Sequence, residues 1–191
     1  IDDESLRAAA SIGGADVRMT DPAHQSGTDR IAEACAKIAE DLVVNLQGDE
    51  PVFPLELLRD LCQLLPTDPT ALWTAAATNL TESDRTDQDV VKIELDAPNP
   101  AQALDFFREL PADAQIRNLG IHVGVYGGSL QALSRFASLP IPQIETDRRI
   151  EPLRALAAGM PVRARKGSWP RAAIDRREHI STVLQMLEGV T

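Results

Sequence analysis

The chain has 191 residues, 43% of them hydrophobic, enough for one core of ordinary domain size. Its 19 basic residues face 29 acidic ones, a formal charge of −10, which argues against a general nucleic-acid or membrane-surface binder held by a basic field. A phosphate ligand therefore has to be met by a local site or a metal.

In chain order, Asp3 to Ile12 reads as a short capped helix stopped by Gly13-Gly14, and "ADVRMT" as a short strand. "DPAHQSGT" is a loop leading to an N-cap at Thr28, after which Ile31, Cys35, Ile38 and Leu42 recur at helical spacing and feed the strand "LVVNL". This rhythm predicts an α/β fold with a mostly parallel sheet. After the turn "QGDEP", Leu57, Leu58, Leu61 and Leu65 mark a helix ended by the Pro66 to Pro69 turn; "ALWTAAAT" is a strand and "TNLTESDRTDQD" a polar loop.

Val91, Ile93 and Leu95 alternate with Lys92 and Glu94, the signature of a strand with one wet face. It is expected at an edge or in a smaller lobe spanning about residues 90 to 140 of a single domain, 1–191. "IRNLGIHVGVYGGSL" is a Gly-interrupted strand that lets a ligand or another backbone come close. Helical patterns follow at Leu130 to Phe136, at Ile144 to Leu156, and at Ile180, Val183, Leu184 and Leu187, with "MPVRARKG" a strand between the last two.

Cys35 and Cys62 form neither a CxxC pair nor a disulfide framework, so both are expected as core thiols in a reducing compartment. No apolar run reaches the length of a membrane span, and "IDDESLRAAA" lacks the basic start and apolar centre of a signal peptide, so a cytoplasmic protein is expected.

Three loops, "HQSGT" (24–28), "QGDEP" (47–51) and "HVGVY" (122–126), are placed to converge outside the carboxyl ends of strands, where open α/β sheets bind ligands. Asp49 and Glu50 offer hard oxygen donors with no Cys or His at ligand spacing, which suits Mg²⁺ better than zinc. Glu50, held extended before Pro51, is better suited to bracing the turn. A second acid is expected from elsewhere, and Asp175 stands at another strand-to-helix junction; Asp175 with Glu178 also forms a capping-box pattern. His24 and Ser26 fit a base-recognising loop or a plain polar loop. His122 and Tyr126, four apart on a strand, share a face, either toward a ligand or as an ordinary half-buried strand. Glu151 and Arg154 stand one helical turn apart, as solvated ion pairs do. No GxGxxG, P-loop or nucleophile triad is present.

Taken together, "RMTDPAHQSGTDRIAEA", "VVNLQGDEP", "VVKIELD", "HVGVYGGSL" and "IEPLRAL" resemble, in order and spacing, the 3-deoxy-manno-octulosonate (Kdo) cytidylyltransferases, or CMP-Kdo synthetases, over nearly the whole chain. The resemblance implies a Rossmann-like three-layer sandwich of the nucleotide-diphospho-sugar transferase type, with a small lobe carrying sugar contacts and a homodimer interface. It implies coupling of CTP to an acidic keto-deoxy sugar with release of pyrophosphate and Mg²⁺ as cofactor. By motif, Asp49 and Asp175 would hold the metal and carry catalysis; Gln25, Ser26 and Gly27 would lie against cytosine; Arg30, Gln47, His122, Tyr126, Glu145 and Glu151 would face the sugar.

There are departures. The family's opening strand and basic loop, which grip the triphosphate, have no counterpart, and the chain starts at Ile1 in what reads as a helix entry, so a missing opening segment is expected. The "SRxxIPW" region is reduced to "FFRELP", retaining Arg108, and "VDTPEDL" becomes "IDRREHI", with Arg176 where a small residue is usual. Two alternatives stay open: a non-catalytic homologue that binds nucleotide, sugar or a partner, and a cytidylyltransferase for a related acid such as sialic acid or amino-Kdo.

Overall fold

The computed structural model describes residues 1–24, 26–110, 118–169, 173–174 and 176–188. Asp3 caps a 3₁₀ turn at Glu4–Leu6 that runs into α1 (Arg7–Ala10), and Gly13 and Gly14, with φ of 86° and 82°, end it in a conformation that side chains resist. The strand expected over "ADVRMT" does not form. Residues 15–20 join no ladder, and with Ala15, Asp16, Arg18 and Met19 exposed they have no apolar face to bury.

Helix α2 (Gly27–Cys35) is capped by Ser26 rather than Thr28: the Asp29 N–H donates to Ser26 Oγ at 3.1 Å, and Thr28 is fully buried inside the first turn. Strand β1 (Leu42–Leu46) follows, then α3 (Leu55–Leu64). Leu57 and Leu61 form its buried stripe, continued by Leu65 in the turn that follows. Cys62 lies off that stripe and is exposed, which corrects the expected core thiol; Cys35 is half-buried against the core. Strand β2 (Leu72–Ala77) is buried along its whole length. The expected polar loop after it contains α4 (Glu82–Thr86), closed by a capping box between Thr81 and Asp84.

Next come β3 (Lys92–Leu95), β4 (Ala101–Phe107), β5 (Leu119–Ser129), α5 (Leu130–Ala137), α6 (Gln143–Arg148), α7 (Leu153–Ala157), β6 (Val162–Gly167) and α8 (His179–Glu188). The one helix expected from Ile144 to Leu156 is two. Arg149 ends α6 in the left-handed conformation, φ 54° and ψ 48°, and Pro152, lacking an N–H, opens α7.

The six strands of the described residues belong to one sheet, ordered β1-β5-β2-β6-β4-β3, with β3 also pairing β5, so the stretch from 90 to 140 contributes three strands to the common sheet. The sheet is mixed, not mostly parallel. Among the described strands only β2 and β6 pair in parallel; β5 opposes β1, β2 and β3, and β4 opposes β3 and β6. Strands β1, β2 and β6 do run the same way, but β5 is inserted between β1 and β2, so their shared direction produces no parallel ladder. Strand β3 has no wet face either: flanked by β4 and β5, it buries Lys92 completely, with Nζ donating to the carbonyls of Asp87 and Arg108 at 2.5 Å each.

Alternation along β2 builds the layers. Leu72 and Ala76 join one core with Ala132, Leu133 and Phe136 of α5 and Leu153 of α7; Trp73, Ala75 and Ala77 join a second with Leu57 and Leu61 of α3. Helices therefore cover both faces, as a three-layer sandwich requires. The last helix departs from its pattern: Val183 is buried, while Ile180, Leu184 and Leu187 are 42%, 53% and 42% exposed. No helix among the described residues is long and apolar enough to cross a membrane.

One detail of the sheet positions everything that follows. Along one edge of β5, β1 pairs with Val125 to Ser129 and β3 with Leu119 to Ile121, leaving His122 to Gly124 between them. There β1 leaves the sheet and β3 enters it, and the edge splits open.

Candidate active site

The split opens into a cleft of about 750 Å³ at the carboxyl end of β1. Its described walls are the Gln47 to Glu50 turn, Asn79 after β2, the Asp89 to Val91 approach to β3, His122 and Tyr126 of β5, Arg108, the Arg149 to Glu151 turn, and one face of α8. That face, with His179, Thr182, Val183 and Met186, explains why the apolar positions of α8 turn outward: the helix presents a mixed stripe to the cleft.

The acidic turn is built by backbone. The Glu50 N–H donates to the Gln47 carbonyl at 3.1 Å, and the Glu50 carboxylate accepts from the Gly124 N–H at 3.4 Å. A Cβ on Gly124 would stand 3.1 Å from Glu50 Oε1, so glycine is what lets the carboxylate lie against β5. Glu50 thus braces the turn. Asp49 remains an exposed carboxylate in the cleft wall. Its carbonyl accepts from the Ile174 N–H at 2.8 Å, which brings the chain immediately before Asp175 to the same turn. Asp175 itself lies outside the described residues, as does Gln25. Among the described residues no group of three or more His, Cys, Asp or Glu could hold a metal ion. Asp49 is nevertheless a donor of the kind Mg²⁺ uses, since that ion takes one or two carboxylates and completes its shell with water and phosphate.

His122 and Tyr126 share a face as their spacing predicts, with ring centroids 5.4 Å apart. Thr74 Oγ stands 2.8 Å from the Val125 carbonyl and 2.9 Å from His122 Nε2. The hydroxyl has one proton and gives it to the carbonyl, so Nε2 must donate to the hydroxyl oxygen. His122 is then the Nε2–H tautomer, and Nδ1, with no partner among the described residues, is an acceptor. Burial pushes its pKa down to about 4, which keeps the ring neutral near pH 7. Burial, reinforced by the charges of Glu151 and Asp49, raises the Tyr126 phenol well above its usual value and keeps it a neutral donor.

Glu151 is half-buried in the cleft wall and accepts from the Thr28 N–H at 3.3 Å and from the Ser26 hydroxyl. Its pKa is raised by burial, which outweighs the lowering effect of those hydrogen bonds. Through Glu151 the "HQSGT" loop is tied to the cleft. Ser26 and Gly27 stand at the start of α2, with Gly27 beside Asn45 of β1.

Two of the anticipated sugar-facing residues are not in the cleft wall. Glu145 is buried against Arg154, which grips it with two nitrogens at 2.9 and 2.7 Å, reaches Asp29 at 2.8 Å, and lies 4.7 Å over the Phe136 ring. The solvated Glu151–Arg154 pair suggested by spacing is therefore replaced by a buried Arg154 pairing with other acids. Arg30 bonds Asp2 and Thr20, both at 2.9 Å. Conversely, Arg108 and Arg149 line the cleft, and only Arg108 was marked by a motif. A left-handed helix end is usually signalled by Gly or Asn, so nothing in the sequence pointed to Arg149.

A family model described as "Cytidylyltransferase" matches residues 2–164. The chain belongs to that family. This cytidylyltransferase is 36% identical to the 3-deoxy-manno-octulosonate cytidylyltransferase 2 of Paraburkholderia phytofirmans, over 97% of the chain and 75% of the relative. It is similar to a solved CMP:2-keto-3-deoxy-manno-octonic acid synthetase complexed with CTP, with a TM-score of 0.85 and 26% identity over 100% of this chain and 79% of that one. An apo UDP-glucose pyrophosphorylase shares the fold at a TM-score of 0.60 and 15% identity, covering 98% of the cytidylyltransferase and 70% of its own chain.

Proposed function

We propose that the protein couples CTP to 3-deoxy-manno-octulosonate, giving CMP-Kdo and pyrophosphate. The observation that supports this reading most is the convergence of Gln47, Asp49, His122, Tyr126 and Glu151 on one cleft, in a chain whose family relatives bear that activity in their names. In the reaction the anomeric hydroxyl oxygen bonds the α-phosphorus, the bond from that phosphorus to the bridging oxygen of the leaving pyrophosphate breaks, and the hydroxyl proton is released. No covalent enzyme intermediate is needed, so the protein's work is positioning and charge compensation.

In this reading Gln25, Ser26 and Gly27 lie against cytosine. Gln47, His122 and Tyr126 hold sugar hydroxyls, His122 as acceptor through Nδ1 and Tyr126 as donor through its phenol. Glu151 orders the cytosine loop while facing the sugar. Asp49 and Asp175 would hold Mg²⁺, which when bound neutralises phosphate charge and lowers the pKa of the attacking hydroxyl. Arg30 and Glu145, occupied elsewhere, serve as supports. The working unit is a homodimer.

The test is pyrophosphate release from CTP with Kdo, sialic acid and amino-Kdo, with and without Mg²⁺. Release is expected with Kdo and Mg²⁺, and Asp49→Asn is expected to reduce it about 1000-fold, roughly 4 kcal/mol of transition-state stabilisation, without lowering the melting temperature. Absence of turnover with every acid overturns the function. Normal activity in Asp49→Asn overturns the metal role.

A further inference from the structure

We propose that Arg149 is the anchor for the carboxylate of the sugar substrate, a specificity role that rests on the reading above. The cleft wall carries the carboxylates of Asp49 and Glu50, with Asp89 paired to Arg176, so an anionic sugar meets like charge there unless a cation faces it. His122 is neutral and cannot do so. Two arginines stand among the described lining residues.

Arg108 is committed to the backbone. One terminal nitrogen donates to the carbonyls of Gln88 and Asp89 at 2.9 and 3.4 Å, the other to that of Arg149 at 3.3 Å, and Nε is buried without a partner among the described residues. Three of its five N–H donors are taken by these carbonyls and a fourth, on Nε, is buried, so it presents no free pair of donors to the cleft. Arg149 is the reverse case: its side chain is exposed at the cleft and makes no hydrogen bond or ion pair among the described residues. Its backbone is left-handed, where a side chain is disfavoured, and is held there by the Ile150 N–H on the Glu145 carbonyl at 3.3 Å and by the Arg108 bond. A glycine would suit that conformation better, so the arginine at this position is explained by its side chain. A planar guanidinium with paired N–H donors matches a carboxylate in two parallel hydrogen bonds.

The experiment is calorimetric titration of Kdo and of its C1 carboxamide into the protein with Mg²⁺ and CDP, comparing wild type with Arg149→Gln and Arg149→Gly. Wild type is expected to prefer the acid about ten-fold, and both variants to lose that preference while binding the carboxamide as wild type does. Arg149→Gly, which relieves the left-handed backbone, is expected to melt no lower than wild type, so its loss cannot be ascribed to unfolding. Retention of the preference in either variant, or equal weakening for acid and amide, overturns the proposal. Arg149-dependent Kdo binding without CTP turnover would leave the anchor standing and remove the reaction; turnover with binding indifferent to Arg149 would do the opposite.

Discussion

In the cleft, burial moves His122, Tyr126 and Glu151 each toward its uncharged form, whereas behind it Arg154, 2% exposed, holds its charge more firmly by taking Glu145 and Asp29 as partners. Two glutamates six residues apart show the contrast best. Glu145 meets a guanidinium with both oxygens; Glu151 meets only a hydroxyl and an N–H. Desolvation acts in both places; beside a guanidinium the acid is held in a buried ion pair, and at Glu151, without one, burial raises the pKa. The paired region ties α2 to α6 and α7 and makes a rigid backing. The cleft keeps neutral donors and acceptors available to substrate.

The largest expected effect comes from breaking the paired side. Arg154→Met strands Glu145 and Asp29 and should cost about 3–5 kcal/mol in chemical denaturation, with part of it recovered when Glu145→Gln is added. A loss no greater than that of a surface arginine would show that the network does not stabilise the backing.

His122 sharpens the other side. Its folded pKa of about 4 lies below the unfolded 6.5, so between those values the unfolded chain binds more protons. Stability therefore falls as pH drops through this window, by about 3 kcal/mol in all, and His122→Gln should remove that slope.

Ser26 joins the two regions, capping α2 and donating to Glu151. Ser26→Ala should cost about 1 kcal/mol and raise the KM for CTP more than that for the sugar. The smallest effect is expected from Glu151→Gln. Because the folded pKa is raised, the folded state binds more protons above pH 4.5, and stability falls as pH rises through that window. The glutamine variant should lack the decline and match wild type near pH 7 to within about 1 kcal/mol, since it removes a charge that burial disfavours.

Much of the cleft was legible because short-range rules set it. "LVVNL" with a following turn made a strand end, and period two placed His122 beside Tyr126. The Glu50–Pro51 junction pointed to a bracing acid, and Glu50 lies on Gly124. The misplaced cap shows the limit of such rules: Ser26 and Thr28 are both good caps, and the choice went to Ser26 because Thr28 packs into the interior. Lys92 failed for a related reason. Alternation announced a wet face, but two carbonyls accept from its ammonium inside the fold, and a sequence pattern does not display carbonyls.

What the sequence determined by itself was a set of local preferences: where strands and helices fall, which residue types stand at the turns, and, through the motifs, which family the chain resembles. Tertiary structure alone decided that β5 would run between β1 and β2, that the edge of β5 would split at His122 to Gly124, and that Glu145 would be paired with Arg154 while Glu151 was left in the cleft. The physical reason is that strand order and ion pairing depend on groups as many as 125 residues apart, as Asp29 and Arg154 are, whereas propensity and periodicity act within a few turns of chain.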